Sequence, residues 1–348
     1  MITQLCEEAL GLADVVRSQV EGLGGVQILR TAVRDPAARG TVDAVLDRAG
    51  VWQLDPLADA TELEAAAAVC QVAGEFALPY PVAERLARTP GGAATLLVSC
   101  REARRLGAHV DLELGWTGVD LTGATYDVSD FARPLLGTKL GPFAGEVDAR
   151  LRPGHAPRVA ALITVFQCWW LFGLLQAALA DTIDYTGVRA QFGRPLRAFQ
   201  SVGFGLADMT VAADGLGELA KYALWSVRED TDGDIALTDA LSLRVAALEA
   251  AGVVMRGAHQ YYGAMGFTDE VDVSWLSRAS QFVRRLPDSE SVTQELLAAR
   301  MAEHDFDVIA SSTPATSTTG QGELGCQQRN QRRVPVRPPP GNRISTPG

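Results

Sequence analysis

The chain has 348 residues, 47% of them hydrophobic and 7% aromatic. That is material for two or three domains whose cores are built from helices in preference to a β-sandwich. A formal net charge of −11, with no Lys/Arg cluster before residue 311, excludes nucleic acid as the main partner but leaves room for a small anion held by a few local arginines.

Residues 1–90 read as an N-terminal helical domain. MITQLCEEALGLADVV carries acids and no basic n-region, so it is not expected to be a signal peptide. Leu5, Ala9, Leu12, Val15 and Val16 share one stripe, and Leu63, Ala66, Val69, Cys70 and Ala73 another. Breaks fall at Gly22–Gly25, Pro36, Pro56 and the Pro79–Pro81 pair, and Thr61 with Glu64 spells a capping box opening a helix towards Gly74. From Thr89-Pro-Gly-Gly the character changes. Residues 91–150 hold short, partly alternating pieces (ATLLVS, AHVDLELGW, GVDLTG, TYDVSD) separated by Gly, Asp and Thr, which predicts a few strands with tight turns. The stretch is too short for a full-sized barrel or sandwich.

Val159 to Ala180, VAALITVFQCWWLFGLLQAALA, has no charge and is long enough to span a membrane. Gln167, Gln176 and Thr164 interrupt it, and amphipathic segments follow that need something to pack on, so it is expected to be the buried central helix of a bundle. Four long helical segments, near 157–190, 199–228, 235–262 and 271–304, make residues 151–310 a C-terminal four-helix bundle. Residues 311–348 are rich in Ser, Thr, Pro and Arg without periodicity; they are expected to be disordered, and the abrupt shift in composition suggests another reading frame. The five cysteines (Cys6, Cys70, Cys100, Cys168, Cys326) show no C-x-x-C, and His109, His155, His259 and His304 lie far apart. Neither a disulfide framework nor a metal site is expected, and a reducing cytoplasm is the expected compartment.

The most informative stretch is 185–209, YTGVRAQFGRPLRAFQSVGFGLADM. Arg189 falls in the last turn of an apolar helix, Gly193 and Pro195 stop it, and Phe199, Val202, Leu206, Met209, Ala213, Leu216 and Ala220 restart one helical face. Gly203-Phe-Gly205 lies inside that helical pattern and is not a dinucleotide fingerprint. The string resembles the helix-turn-helix of the acyl-CoA dehydrogenase family, Y…R-x-x-F-G-x-P…F-Q…L-A-D-M. A second match, QYYGAMGFT at 260–268, resembles that family's Q-x-x-G-G-x-G-F-T, with Ala264 in place of the second glycine. The resemblance runs over about residues 1–300 and is weakest over 91–150. It implies a mostly α, acyl-CoA dehydrogenase-like fold with a reduced β middle region, and FAD bound at a subunit interface. There Arg189 would meet the pyrophosphate through a bidentate fork. Gln191, Phe199 and Gln200 would lie near the adenosine, and Gln260 would open the turn in which Gly263 lets backbone approach the ligand.

The family's reaction, α,β-desaturation of an acyl-CoA, needs a carboxylate base. Aligning R-x-x-x-x-x-x-x-L-E-G-T on Arg278 to Leu286 puts Pro287 at the glutamate position, and the alternative position early in the first bundle helix falls at about Ile163. Asp288 and Glu290 follow closely and read as a surface acid pair, with a shifted base as the alternative. Only Trp116-Thr117 echoes the family's flavin-contacting W-x-T/S turn. Together these imply no catalytic residue in this chain. It resembles the short, non-catalytic subunit of actinobacterial α2β2 acyl-CoA dehydrogenases acting on steroid-derived CoA thioesters. It would complete the FAD site of a homologous full-length partner, with no membrane and no nucleic acid involved. The rivals are a flavin monooxygenase of the same fold and a non-enzymatic, dehydrogenase-like interaction protein.

Overall fold

Helices α1 (Glu7–Gly22), α2 (Gln27–Arg34), α3 (Ala38–Arg48), α4 (Ala60–Glu75) and α5 (Val82–Leu86) come first. They belong to a computed structural model that describes residues 2–88, 92–102, 105–135 and 140–303; the 311–348 tail lies outside the described residues. On α1 the buried positions are Ala9, Ala13, Val16 and Val20, a narrower stripe than expected, since Val15 is exposed. The expected capping box does not form. Asp59 is the N-cap of α4, accepting from the Thr61 and Glu62 amides, because a carboxylate two residues earlier satisfies the orphan donors of the first turn. Glu64 instead turns inward, accepts from the Cys6 amide at 2.7 Å and faces Arg228 at 3.7 Å. It ties the start of α1 to α4.

Residues 94–155 form a five-stranded sheet in the order β1 (Ala94–Leu97), β3 (Trp116–Val119), β4 (Ala124–Pro134), β5 (Ala144–His155), β2 (Arg105–Ala108). Among the described residues only the β1–β3 pair is parallel. ATLLVS and TYDVSD fall on strands as expected. AHVDLELGW does not, because residues 109–115 turn between β2 and β3. GVDLTG ends β3 and then turns, with the Asp120 carboxylate accepting from the Thr122 and Ala124 amides. β5 was not legible: its outer half is exposed and carries Arg150, Arg152, Pro153 and Gly154, so it lacks an alternating apolar face.

Where the sheet meets the helices, His109 sits with φ 59°, donating its amide to the Phe143 carbonyl at 2.8 Å. Its ring stacks on Phe143 and meets the edge of Phe282, while Arg39 pairs with Asp111 beside it. Burial, reinforced by the Arg39 cation and opposed by Asp111, pushes the His109 pKa down to about 3. A folded pKa below the unfolded value near 6.5 means that the unfolded chain takes up the proton first. Stability is therefore full above about pH 6.5 and is lost as pH falls towards 3, at about 1.4 kcal/mol per unit. His109→Asn tolerates the left-handed backbone and should flatten the difference in urea midpoint between pH 7 and pH 5. Equal slopes for the two proteins would remove His109 as the cause.

α6 (Pro157–Val188) is the central helix. Among the described residues it is the one helix long and apolar enough to cross a membrane, and 89% of its most apolar window is buried inside the protein. It packs along α4, along α7 (Gln200–Glu229) and along α8 (Asp234–Tyr262). Its polar residues are used internally: Thr164 donates to the Ala160 carbonyl, Gln167 to Glu84, and Gln176 accepts from Gln71. The α4–α6 crossing depends on two glycines. A Cβ on Gly74 would lie 1.7 Å from the Trp170 carbonyl oxygen, and one on Gly173 would lie 1.9 Å from that of Gln71.

The fourth bundle segment is not one helix. It breaks into α9 (Asp272–Ala279), α10 (Gln281–Arg285) and α11 (Glu290–Glu303). Pro287 cannot continue a helix, and the carbonyls freed around it are taken by Arg244. That fully buried guanidinium donates to the Val283, Leu286 and Asp288 carbonyls at 3.2, 2.7 and 3.2 Å.

Candidate functional site

The two motifs singled out in the sequence converge. Tyr185, one turn before the end of α6, stacks on Tyr262 at the end of α8, with ring centroids 4.0 Å apart. Tyr262 also donates to the Asp181 carbonyl at 3.3 Å. Gly205 on α7 admits Tyr261, whose hydroxyl would be 1.8 Å from a Cβ there. The ends of α6 and α8 and the start of α7 are therefore pinned around one aromatic cluster.

Arg189 follows directly. It is the C-cap of α6 in an extended conformation, not a last-turn residue as expected. Gly193 and Pro195 do more than stop the helix. β6 (Ala190–Gln191) and β7 (Arg194–Pro195) form a hairpin whose two turn residues, Phe192 and Gly193, have φ of 50° and 79°. Two positive values in a two-residue loop are the mark of a type I′ turn. The Leu196 amide donates to the Arg189 carbonyl and closes the hairpin base. α7 then starts at Gln200, with Phe199 as its N-cap residue, and the expected face runs from half-buried Phe199, Val202 and Leu206 to buried Met209, Ala213, Leu216 and Ala220.

Arg189, Gln191, Gln200 and Gln260 are all exposed. None of their side chains makes a hydrogen bond or ion pair with another described residue. Phe199 is more committed: its ring carries the Arg194 guanidinium at 4.0 Å and meets the edge of Phe192. Gly263 ends α8 with φ 57° and ψ −135°, and a Cβ there would find nothing within 4 Å. The turn is glycine-specific in conformation and open in front. One planar cation, three amides and an open backbone turn on helix ends that are held together can bind an anion and hydrogen-bonding ring atoms. These residues fit the nucleotide half of a dinucleotide. Sequence reasoning passed over Tyr185, Tyr261 and Tyr262, which position the cluster, and Arg194, which holds Phe199. Only the repeated aromatic pair Tyr261-Tyr262 at a helix end could have signalled them.

The acids after the bundle turn are not the expected surface pair. Glu290 is exposed in the first turn of α11. Asp288 is buried; it accepts from the Ser99 hydroxyl at 2.5 Å and the Cys100 amide at 3.4 Å. Those residues follow β1, so Asp288 pins the sheet to the bundle. Beside it the Cys100 thiol is pushed up to about 11, by burial first and then by the Asp288 and Asp120 carboxylates. Ile163 is fully enclosed in the core and Pro287 is buried.

Residues 165–302 match the acyl-CoA dehydrogenase C-terminal domain family. A short-chain specific acyl-CoA dehydrogenase of Megasphaera elsdenii is 35% identical over 102 residues, covering 29% of this chain and 26% of its own. Acyl-CoA dehydrogenase FadE28 of Mycobacterium tuberculosis is 32% identical over 146 residues, 42% of either chain. The matches thus span between about a quarter and two fifths of these relatives. In fold the agreement is longer. A chain of the ChsE4-ChsE5 complex from Mycobacterium tuberculosis superposes with TM-score 0.68 at 18% identity over 87% of this chain and 99% of its own. The Tcur3481-Tcur3483 steroid acyl-CoA dehydrogenase G363A variant gives 0.69 at 19% over 87% and 100%. The family's homologues are FAD-dependent flavoproteins. Residues 165–302 therefore carry the acyl-CoA dehydrogenase C-terminal domain, and the chain shares the acyl-CoA dehydrogenase fold over most of its length.

Proposed function

We propose that this chain is the non-catalytic subunit of a heteromeric, FAD-dependent acyl-CoA dehydrogenase that desaturates the α,β bond of a CoA thioester. Arg189 would pair with the pyrophosphate of FAD, Gln191, Phe199 and Gln200 would flank the adenosine, and Gln260 with the open turn at Gly263 would complete the grip. When bound, the flavin supplies the hydride-accepting chemistry. This chain contributes binding and orientation, and the proton of the α-carbon goes to a glutamate of the homologous partner. The observation that carries the reading is that Arg189, Gln191, Gln200 and Gln260 are exposed and unpartnered on the ends of α6, α7 and α8 that the Tyr185–Tyr262 stack and the Gly205–Tyr261 contact hold together. Two further points favour a partner-supplied base. Pro287 and Ile163 stand at the two positions where the family places a glutamate, and the one nearby buried acid, Asp288, is engaged by Ser99 and Cys100.

A CoA ester of a steroid-derived ring or side chain is the proposed substrate, supported by the fold likeness to a steroid acyl-CoA dehydrogenase and to a two-component complex. Co-expression with a full-length homologue carrying the glutamate tests the reading. A complex that desaturates such a thioester, and that stops doing so when the partner's glutamate becomes glutamine, supports it. A complex that remains fully active after that change overturns it.

A further inference from the structure

The outward side of α7 and α8 carries large apolar side chains that stay exposed. A Cβ at Gly257 of α8 would lie 2.4 Å from the Met209 sulfur of α7, and one at Gly205 of α7 would lie 1.8 Å from the Tyr261 hydroxyl of α8. The two helices therefore touch in antiparallel register, which places Val211 and Val253 within about 3 Å of the same level along them. Each helix shows one exposed line at steps of three and four: Gln200, Phe204, Asp208 and Val211 on α7, and Glu249, Val253, Arg256 and Gln260 on α8. Phe204, Val211 and Val253 are 63%, 72% and 42% exposed. At the adjoining helix ends Val188, Phe192, Met265 and Phe267 are exposed as well. Seven of the twelve large apolar side chains exposed among the described residues thus lie on this face or at its end, the concentration expected where another protein covers the surface. A Cβ at Gly252, beside Val253, would meet nothing within 4 Å. No packing inside the chain asks for a glycine there, in the middle of a helix it weakens, and the missing side chain leaves room for a second backbone to come close.

The charges indicate what covers it. Asp208, Asp214 and Glu249 are exposed on and beside the two lines, and Arg256 is the one cation on them. None of these four makes an ion pair with another described residue. A second copy of this chain, docked about a twofold axis, would set the excess of carboxylates against itself. The lines also run through Gln200 and Gln260 into the residues assigned to the shared flavin, so a subunit holding that flavin reaches this face. We infer, on the reading of this chain as one of two unlike subunits, that the α7–α8 face is the docking surface for the partner subunit, which meets it with a helical surface of apolar centre and Lys/Arg rim. The apolar centre supplies the affinity. The carboxylates pair with the partner's cations and repel their own kind, so the same face selects unlike over like pairing.

Sedimentation of the full-length chain, alone and as its complex with the co-expressed full-length homologue, tests this over a dilution series. Val211→Glu and Val253→Glu change exposed side chains, so thermal unfolding of the chain alone should not move. Each should raise the dissociation constant of the complex about tenfold or more, as at the centre of an interface. Asp208→Lys combined with Glu249→Lys should also weaken the complex and flatten its dependence on salt. The wild-type chain alone should stay monomeric. Undiminished affinity in both glutamate variants overturns the inference, and so does a dimer of the chain alone that Val211→Glu disperses, since a second copy would then cover the face. Visible absorbance of the same samples separates this from the flavin reading. A colourless complex dispersed by Val211→Glu sustains the docking face and removes the flavin site, whereas a yellow complex indifferent to both glutamates does the reverse. No complex at all overturns both.

Discussion

Gly173→Val is expected to prevent stable folding of this chain. The helices α4 and α6 cross backbone to backbone, and a Cβ at Gly173 would sit 1.9 Å from the Gln71 carbonyl oxygen. A carbonyl in the middle of a helix cannot swing aside as a side chain could, so the helices must separate. That loosens Trp170 and Leu174 on one helix and Val69, Cys70 and Ala73 on the other, all of them in the main core. Overpacking of a close-packed interior ordinarily costs about 1–3 kcal/mol, and a clash between two backbones belongs at or above the top of that range. Gly74→Ala strikes the same crossing from the other side, 1.7 Å from the Trp170 carbonyl, so the two changes should be less than additive. Gly215→Ala on α7, where a Cβ meets nothing within 4 Å, is the control. It should be neutral or slightly stabilising through helix propensity. Urea unfolding of the three variants checks this, and a Gly173→Val protein with the wild-type midpoint would contradict the close crossing.

Arg189→Ala should release flavin from the complex with the partner subunit and leave the chain folded. The guanidinium is exposed and bonded to no described residue, so its removal disturbs no packing. A charged donor lost from a bidentate pair is worth about 1.5–3 kcal/mol, or roughly ten- to a hundredfold in flavin affinity. Arg189→Lys keeps the charge but loses the fork and should be intermediate. The visible absorbance of the dialysed complex reads the effect directly, and thermal unfolding of the chain should not move. Undiminished flavin in Arg189→Ala would remove Arg189 from the site.

What was legible in the sequence had local causes. The apolar run of α6 could only be a core helix once amphipathic neighbours followed it, and the graded face of α7 was written at steps of three and four. The misses have causes that act at a distance or against local preference. Asp288 is buried because the fold carries it to Ser99, 189 positions away in the chain, and no spacing rule reaches that far. Phe192 occupies a left-handed turn position that favours Gly, Asn or Asp, so the hairpin after Arg189 read simply as a helix stop. The Tyr185–Tyr262 stack joins two motifs that looked independent. It accounts for their joint presence better than either motif alone. Pro287 splits the last helical segment although the periodicity on either side of it still describes one helix.

On the proposed function, this chain grips a flavin that another subunit holds and uses. The most direct measure of this is flavin stoichiometry, taken by absorbance on the purified chain alone and on the complex co-expressed with a full-length homologue. The chain alone should be colourless and the complex yellow, with about one FAD per pair of unlike subunits. A chain that binds FAD stoichiometrically by itself, or a stable complex with no flavin at all, would contradict it.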